Sequence, residues 1–295
     1  MSPNCRKLAV PGSASHTASH STMRVAGPLV YVVTGATDGI GRLTAQKLGS
    51  DGHTVVVHGR SRAKVDEVCR EVDAAGGSGA GVVADLSRLD DVRALGKEIK
   101  ERFPVIDGLL NNAGTFAGDY SGERKVTADG NEYSLAVNVL APFLLTALLL
   151  DNVRAAPAAR LLVTSSMSMG CPDALSDLQC EHRWSDHRAY SLSKLCCAMV
   201  AFELHARYGD PPRLCVNTMD PGTVNTKMLL AGWGRCGIPV HQATRSYDML
   251  TKPEWGTKSG ECAAASPDRE CADAALRRKL WDDLTALTGA EYPAK

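Results

Sequence analysis

The chain of 295 residues carries 33 Lys+Arg against 33 Asp+Glu and is 44% hydrophobic and 22% charged, the composition of an ordinary globular protein. A balanced charge of this kind provides no global field to draw the chain to nucleic acid or an acidic membrane, and the length accommodates one large α/β domain without requiring two. Ten cysteines, scattered apart from Cys196–Cys197, make no disulfide-scaffold pattern and read as reduced thiols.

Residues 1–27 differ from the rest. They are rich in Ser, Ala, Thr and His, contain Arg6, Lys7 and Arg24, and have no acidic residue. Three readings stay open: a transit peptide for a mitochondrion or plastid, a disordered tail on a cytoplasmic protein, or a leader before a true start at Met23.

From Leu29 the pattern becomes regular. The stretches "LVYVVTG" (29–35), "TVVVHG" (54–59), "AGVVADL" (80–86), "IDGLLNNAG" (106–114), "ARLLVTSS" (159–166) and "RLCVNTMDPG" (213–222) are short apolar runs that end in small or polar residues. Amphipathic segments of helix length separate them, such as "SRAKVDEVCREVDAAG" and "RLDDVRALGKEIKERF". Alternation of this kind predicts βαβ units, and continuous Val/Leu runs predict strands buried on both faces. The expected fold is therefore α/β, a Rossmann-type doubly wound parallel sheet flanked by helices, as one domain over 28–290. The run "FLLTALLL" (143–150) is far shorter than the roughly 20 residues of a membrane span, and is read as a buried helix.

Ligands of such sheets bind at the carboxyl ends of the strands, where the polar ends congregate. The first strand runs into "TGATDGIG", which places Gly35, Thr37, Asp38, Gly39, Ile40 and Gly41 between a strand and a helix. Glycines there allow a tight turn and close backbone approach, and the helix N-terminus suits a pyrophosphate. At the end of the second strand, where a carboxylate would hold the ribose hydroxyls of NAD(H), the chain has Gly59 and Arg60. A guanidinium favours a 2′-phosphate, so NADP(H) is the expected cofactor and NAD(H) the lesser fit. Arg60 as a plain surface charge is the competing reading. Tyr190 and Lys194 are four residues apart in "HRAYSLSKLCCAMV" and share a helix face. By spacing alone, that lysine is either a solvated charge or a partner for a reactive phenol. Cys171, Cys180, His182 and His187 lack the spacing of a metal site, and no metal is expected.

The ordered set "TGATDGIG", Asp85–Leu86, "NNAG" (111–114), "VN" ending in Asn138, "TSS" (164–166), "YSLSK" (190–194) and "PGTVNT" (221–226) resembles the short-chain dehydrogenase/reductase family over about residues 29–226. The C-terminal "RRKLWDDLTALTG" looks like the last helix of its retinol-dehydrogenase-like branch. The resemblance implies that Asp85 and Leu86 flank the adenine, and that Asn112, Ala113 and Gly114 line the adenosine side. Pro221, Gly222 and Val224 would cover the nicotinamide, with Thr226 near its carboxamide. It further implies a catalytic group of Asn138, Ser166, Tyr190 and Lys194, with Ser165 the alternative serine. Tyr190 would exchange a proton with the substrate oxygen, and Lys194 would favour the ionised phenol and hold the nicotinamide ribose. Ser166 would bond the substrate oxygen, and Asn138 would position Lys194 through a water.

The expected activity is NADP(H)-dependent interconversion of a carbonyl and an alcohol, on a lipophilic aldehyde or ketone of retinoid or steroid type. A non-catalytic NADP(H)-binding sensor or scaffold is the alternative. Insertions at about 167–189 and 225–255 would wall the substrate pocket, with Trp184, Met228, Leu229, Leu230, Trp233 and Met249 as candidate lining. Segments 131–150 and 187–204 are apolar around most of their circumference, which predicts a homodimer, with peripheral membrane contact as the other reading.

Overall fold

A computed structural model describes residues 27–116 and 122–294; the tail question raised by residues 1–26 lies outside the described residues. Strands β1 (Val30–Val33), β2 (Thr54–Gly59), β3 (Ser78–Val83), β4 (Gly108–Asn111), β5 (Ala159–Thr164), β6 (Leu214–Met219) and β7 (Cys262–Ala263) form one sheet in the order β3-β2-β1-β4-β5-β6-β7. Every neighbouring pair is parallel. The chain leaves β3 at one edge and returns beside β1, so the order reverses between β1 and β4. That reversal opens a crevice at the carboxyl ends of those two strands. The two-residue β7 carries no periodicity of its own and was not foreseen from the sequence.

Each face of the sheet has its own core. On one, Val33, Val57 and Leu110 meet α1 (Gly39–Ser50), α2 (Arg62–Ala74) and α8 (Arg245–Thr251). Val65, Val68 and Val72 supply the buried stripe of α2 at the spacing of an amphipathic helix. On the other face, Val32, Val56 and Leu161 meet α3 (Leu89–Arg102), α6 (Asp186–Tyr208) and a long helix over Tyr133–Arg154. That helix consists of α4 (Tyr133–Leu135), a π-helical turn (Ala136–Leu140) and α5 (Ala141–Arg154). Gly96 lets α3 approach α5 closely, since a Cβ on it would stand 2.5 Å from Leu148 Cδ1.

The Tyr133–Arg154 helix is long and apolar enough to cross a membrane, with mean hydropathy 2.0, yet 83% of its most apolar window is buried inside the fold. It is a core helix. Much of its apolar circumference, and of that of α6, is buried within the chain. After α7 (Lys227–Trp233) and α8, the chain forms α9 (Arg269–Ala272) and α10 (Ala274–Thr288), and α10 packs on α6. Trp281 meets Phe143 edge-on at 4.8 Å and Tyr292 at 4.3 Å, and the Tyr292 hydroxyl donates to the Phe143 carbonyl at 2.8 Å. The C-terminal segment thus covers part of both helices within one chain.

Candidate active site

Two short connections at the reversal point are tied together before any ligand is considered. The Thr34 hydroxyl, at the end of β1, accepts the N–H groups of Asn112 and Ala113 at 3.0 Å each. The Asn112 amide donates back to the Thr34 carbonyl at 2.9 Å. Gly35 has φ +64°, and a Cβ there would fall 2.8 Å from Ala113 Cα, so no larger residue fits. Gly41 is needed for a different reason from the one its spacing suggests: a Cβ on it would lie 2.3 Å from the Gly35 carbonyl oxygen. It lets the first turn of α1 fold back onto its own loop. Asp38 caps α1 by accepting the Gly39 N–H at 2.9 Å. Its carboxyl sits below the usual range; burial pushes it up, but the hydrogen bonds from Lys227 and Gly39 prevail.

His58 holds this loop and carries no motif signal. Its ring is 2% exposed at the end of β2, accepts the Gly35 N–H on Nδ1 at 3.2 Å, and has Nε2 at 3.2 Å from the Ala84 carbonyl. Those two partners require the neutral ring with its proton on Nε2. Burial, reinforced by the nearby Arg60 and only partly offset by the Ala84 carbonyl, pushes its pKa down to about 4. Beside it, a Cβ on Gly59 would meet Thr37 Cγ2 at 2.4 Å. Any side chain there would have to displace the Thr37 methyl. The exposed Arg60 reaches across to the Tyr133 hydroxyl at 3.4 Å.

These loops open into one cleft of about 540 Å³. Every residue expected to hold the dinucleotide lines it: Gly35, Thr37, Asp38, Gly39, Ile40, Gly41 and Arg60, then Asp85, Leu86, Asn112, Ala113 and Gly114, and finally Pro221, Gly222, Val224 and Thr226 with Tyr190 and Lys194. The glycine cradle and the guanidinium at the mouth fit a phosphorylated dinucleotide.

Helix α6 brings Tyr190 and Lys194 to the same cleft, both buried. Lys194 Nζ donates to the Thr164 carbonyl at 3.0 Å and stands 5.7 Å from the centre of the Tyr190 ring. The two serines after β5 differ in their bonding. The Ser165 hydroxyl, 1% exposed, donates to the Lys194 carbonyl at 2.7 Å and so ties β5 to α6. The Ser166 hydroxyl lies toward the cleft and accepts the Ser168 N–H at 3.0 Å.

Asn138, on the π-helical turn, is 2% exposed and lies behind the cleft wall. Its amide oxygen accepts the Thr115 N–H at 2.7 Å, and its nitrogen donates to the Thr115 carbonyl and the Ser193 hydroxyl at 2.9 Å each. Ser193 in turn donates to the Tyr190 carbonyl at 2.7 Å. The Asn138 side chain thus braces the loop after β4 against α6, and its Oδ1 and Lys194 Nζ both lie 3.4 Å from where a Cβ on Gly114 would stand.

Over Tyr190 lies an aromatic roof that the sequence did not single out as such. Phe116 meets Tyr190 edge-on at 5.2 Å and His187 at 5.0 Å, and tilts against Trp233 at 4.6 Å. His187, considered above beside Cys171, Cys180 and His182, is engaged in this ring cluster. Met228, Leu229 and Trp233 line the cleft as expected, joined by Met167 and Cys236. Three candidate lining residues are placed elsewhere. Trp184 packs on the larger core with its indole N–H 3.4 Å from the Glu132 carboxylate, Met249 is buried in the smaller core, and Leu230 is exposed.

Comparison with known proteins agrees with this geometry. Residues 29–232 match the family model described as short chain dehydrogenase. Mouse polyprenol dehydrogenase is 35% identical over 88% of this chain and 84% of its own length, and human retinol dehydrogenase 14 is 32% identical over 88% and 85%. Among solved structures, a short chain dehydrogenase of Escherichia coli CFT073 complexed with NADPH is 26% identical, with TM-score 0.64, covering 80% of this chain and 95% of that one. The relatives extend beyond the retinol dehydrogenases, so no single branch is marked out. With the family model matched over residues 29–232, the chain belongs to the short chain dehydrogenase family.

Proposed function

We propose that the protein is an NADP(H)-dependent oxidoreductase that interconverts a carbonyl and an alcohol on a lipophilic molecule. The observation that carries this reading is the convergence of Ser166, Tyr190 and Lys194 on a cleft whose other end is a glycine cradle with Arg60 at its mouth. The absence of an acid at Gly59 and the exposed guanidinium of Arg60 at the mouth support NADP(H) over NAD(H). The similar E. coli protein solved with NADPH supports the same choice. Relatives named for polyprenol and retinol, and the apolar wall of Met167, Met228, Leu229 and Trp233, support a long apolar substrate.

When bound, the dinucleotide supplies or accepts the hydride. The residues of the chain do the rest. Tyr190 donates its hydroxyl proton to the carbonyl oxygen in reduction and takes it back in oxidation. Ser166 donates a hydrogen bond to the same oxygen and holds it in line. Lys194, anchored on the Thr164 carbonyl, keeps a positive charge 5.7 Å from the centre of the phenol ring. Asn138, acting through Thr115 and Ser193, fixes the distance between the two walls of the cleft. The aromatic roof keeps water from the reacting centre.

The test is NADPH oxidation by the purified protein over a series of aldehydes and ketones, retinal and polyprenals included, with NADH in parallel. Turnover on the lipophilic members with NADPH preferred is expected. Tyr190→Phe should lose a factor of about 10²–10⁴ in rate while still binding NADPH. Near-normal turnover by that variant would sink the catalytic assignment. Tight NADPH binding with no turnover on any member would favour a sensor.

A further inference from the structure

Helix α7 is seven residues long and none of them is buried, although its sequence, "KMLLAGW", is largely apolar. So short a helix does not hold itself in place; its two ends do. At the first, Lys227 Nζ forms a hydrogen-bonded ion pair with Asp38 Oδ2 on the glycine loop. Next to it, the Thr226 methyl crowds Gly39, where a Cβ would approach within 3.0 Å. At the other end, Trp233 leans on Phe116, and a Cβ on Gly232 would stand 2.7 Å from the Phe116 ring. Phe116 follows the Asn112–Gly114 turn after β4. The helix therefore runs as a strap from the loop after β1 to the loop after β4. Thr226, Lys227, Met228, Leu229 and Trp233 line the cleft that it crosses.

We propose that the Asp38–Lys227 ion pair is the latch of this strap and sets how fast the dinucleotide leaves the cleft. The inference rests on the dinucleotide reading above. One fastening is apolar and the other ionic, and the ionic one joins side chains that are 54% and 77% exposed. Water and salt reach it freely, so it is the end that opens. An exposed pair of this kind is worth little to overall stability, but it acts directly on the balance between fastened and open strap. Release through the open form then follows the strength of the pair.

Asp38→Asn gives the clean test, because asparagine keeps the α1 cap and removes only the charge that holds Lys227. Stopped-flow measurement of NADPH dissociation, followed by its fluorescence, should show release faster by about two- to fivefold, the range an exposed pair allows. Lys227→Gln should behave alike, and the double variant should be no faster than the faster single one. Raising the salt should speed release from the wild type more than from Asp38→Asn, since screening of the Arg60 contact is common to both. If Lys227 instead serves the phosphates directly, Asp38→Asn removes a repelling carboxylate and slows release, while Lys227→Gln speeds it. That split, or unchanged rates in folded variants, overturns the latch alone. Failure of the wild type to bind NADPH at all overturns the dinucleotide reading and the latch with it.

Discussion

His58 shows how one side chain can couple the stability of the fold to the shape of the site. Its neutral ring is required at both nitrogens, since Nδ1 must accept from Gly35 while Nε2 donates to Ala84. Burial first, and the Arg60 charge after it, lower its pKa from 6.5 to about 4. The unfolded chain therefore binds a proton in the window between those values that the folded protein refuses. Stability from this group is complete above pH 6.5 and is lost progressively as the pH falls toward 4, by roughly 3 kcal/mol in all. Below the folded pKa the ring protonates and loses its Gly35 bond, so the glycine loop loosens. His58→Gln keeps one acceptor and one donor but cannot titrate. Urea unfolding at several pH values between 7 and 4 should show a shallower decline for that variant than for the wild type. Equal declines would mean that other groups carry the acid sensitivity.

At the level of elements, the cover that α10 places over α5 and α6 gives the C-terminal segment an energetic role. Trp281 is 5% exposed, lies between Phe143 and Tyr292, and carries the Arg207 guanidinium 4.4 Å from its ring centre. Trp281→Ala should cost about 3–5 kcal/mol, the usual penalty for emptying a large aromatic site, and show as a lowered unfolding midpoint. A loss within experimental error would mean that the helix packs independently of this ring. The same cover explains what was legible from the sequence and what was not. The run at 54–59 is β2 to the residue, and Val65, Val68 and Val72 mark the buried side of α2, because both signals are local periodicities. The residues that line the cleft were legible because they sit at strand ends, in segments that follow one family's ordered motifs. What covers an apolar helix is a long-range fact. Periodicity showed that α5 and α6 needed burial but not that α10 supplies part of it. The aromatic roof was hidden for the same reason. Phe116, His187 and Trp233 come from three separate segments, and only their convergence distinguishes them from ordinary core rings.

For the molecule as a whole, the sheet carries a core on each face and leaves the reversal between β1 and β4 as the place where a large ligand can bind without disturbing either. A ligand seated there touches segments from residue 35 to residue 233, so binding should stabilise the whole fold cooperatively rather than one lobe of it. NADPH at a hundred times its dissociation constant should raise unfolding free energy by about 2.7 kcal/mol, visible as a higher melting temperature. Positive and negative side chains balance at 33 each, so any preference between the two dinucleotides has to arise locally and not from a field over the surface. Arg60 is the local charge in position, and Gly59 leaves no carboxylate there to compete with a phosphate. Arg60→Ala should therefore weaken NADPH by about ten- to a hundredfold, the worth of hydrogen bonds to a charged group, and leave NADH nearly unchanged. In melting experiments the gap between the two cofactors should close because NADPH falls to meet NADH. If both fall together, Arg60 is holding the adenosine common to the two, and the discrimination must come from elsewhere at the mouth, with the Tyr133 hydroxyl 3.4 Å away as the next group to remove.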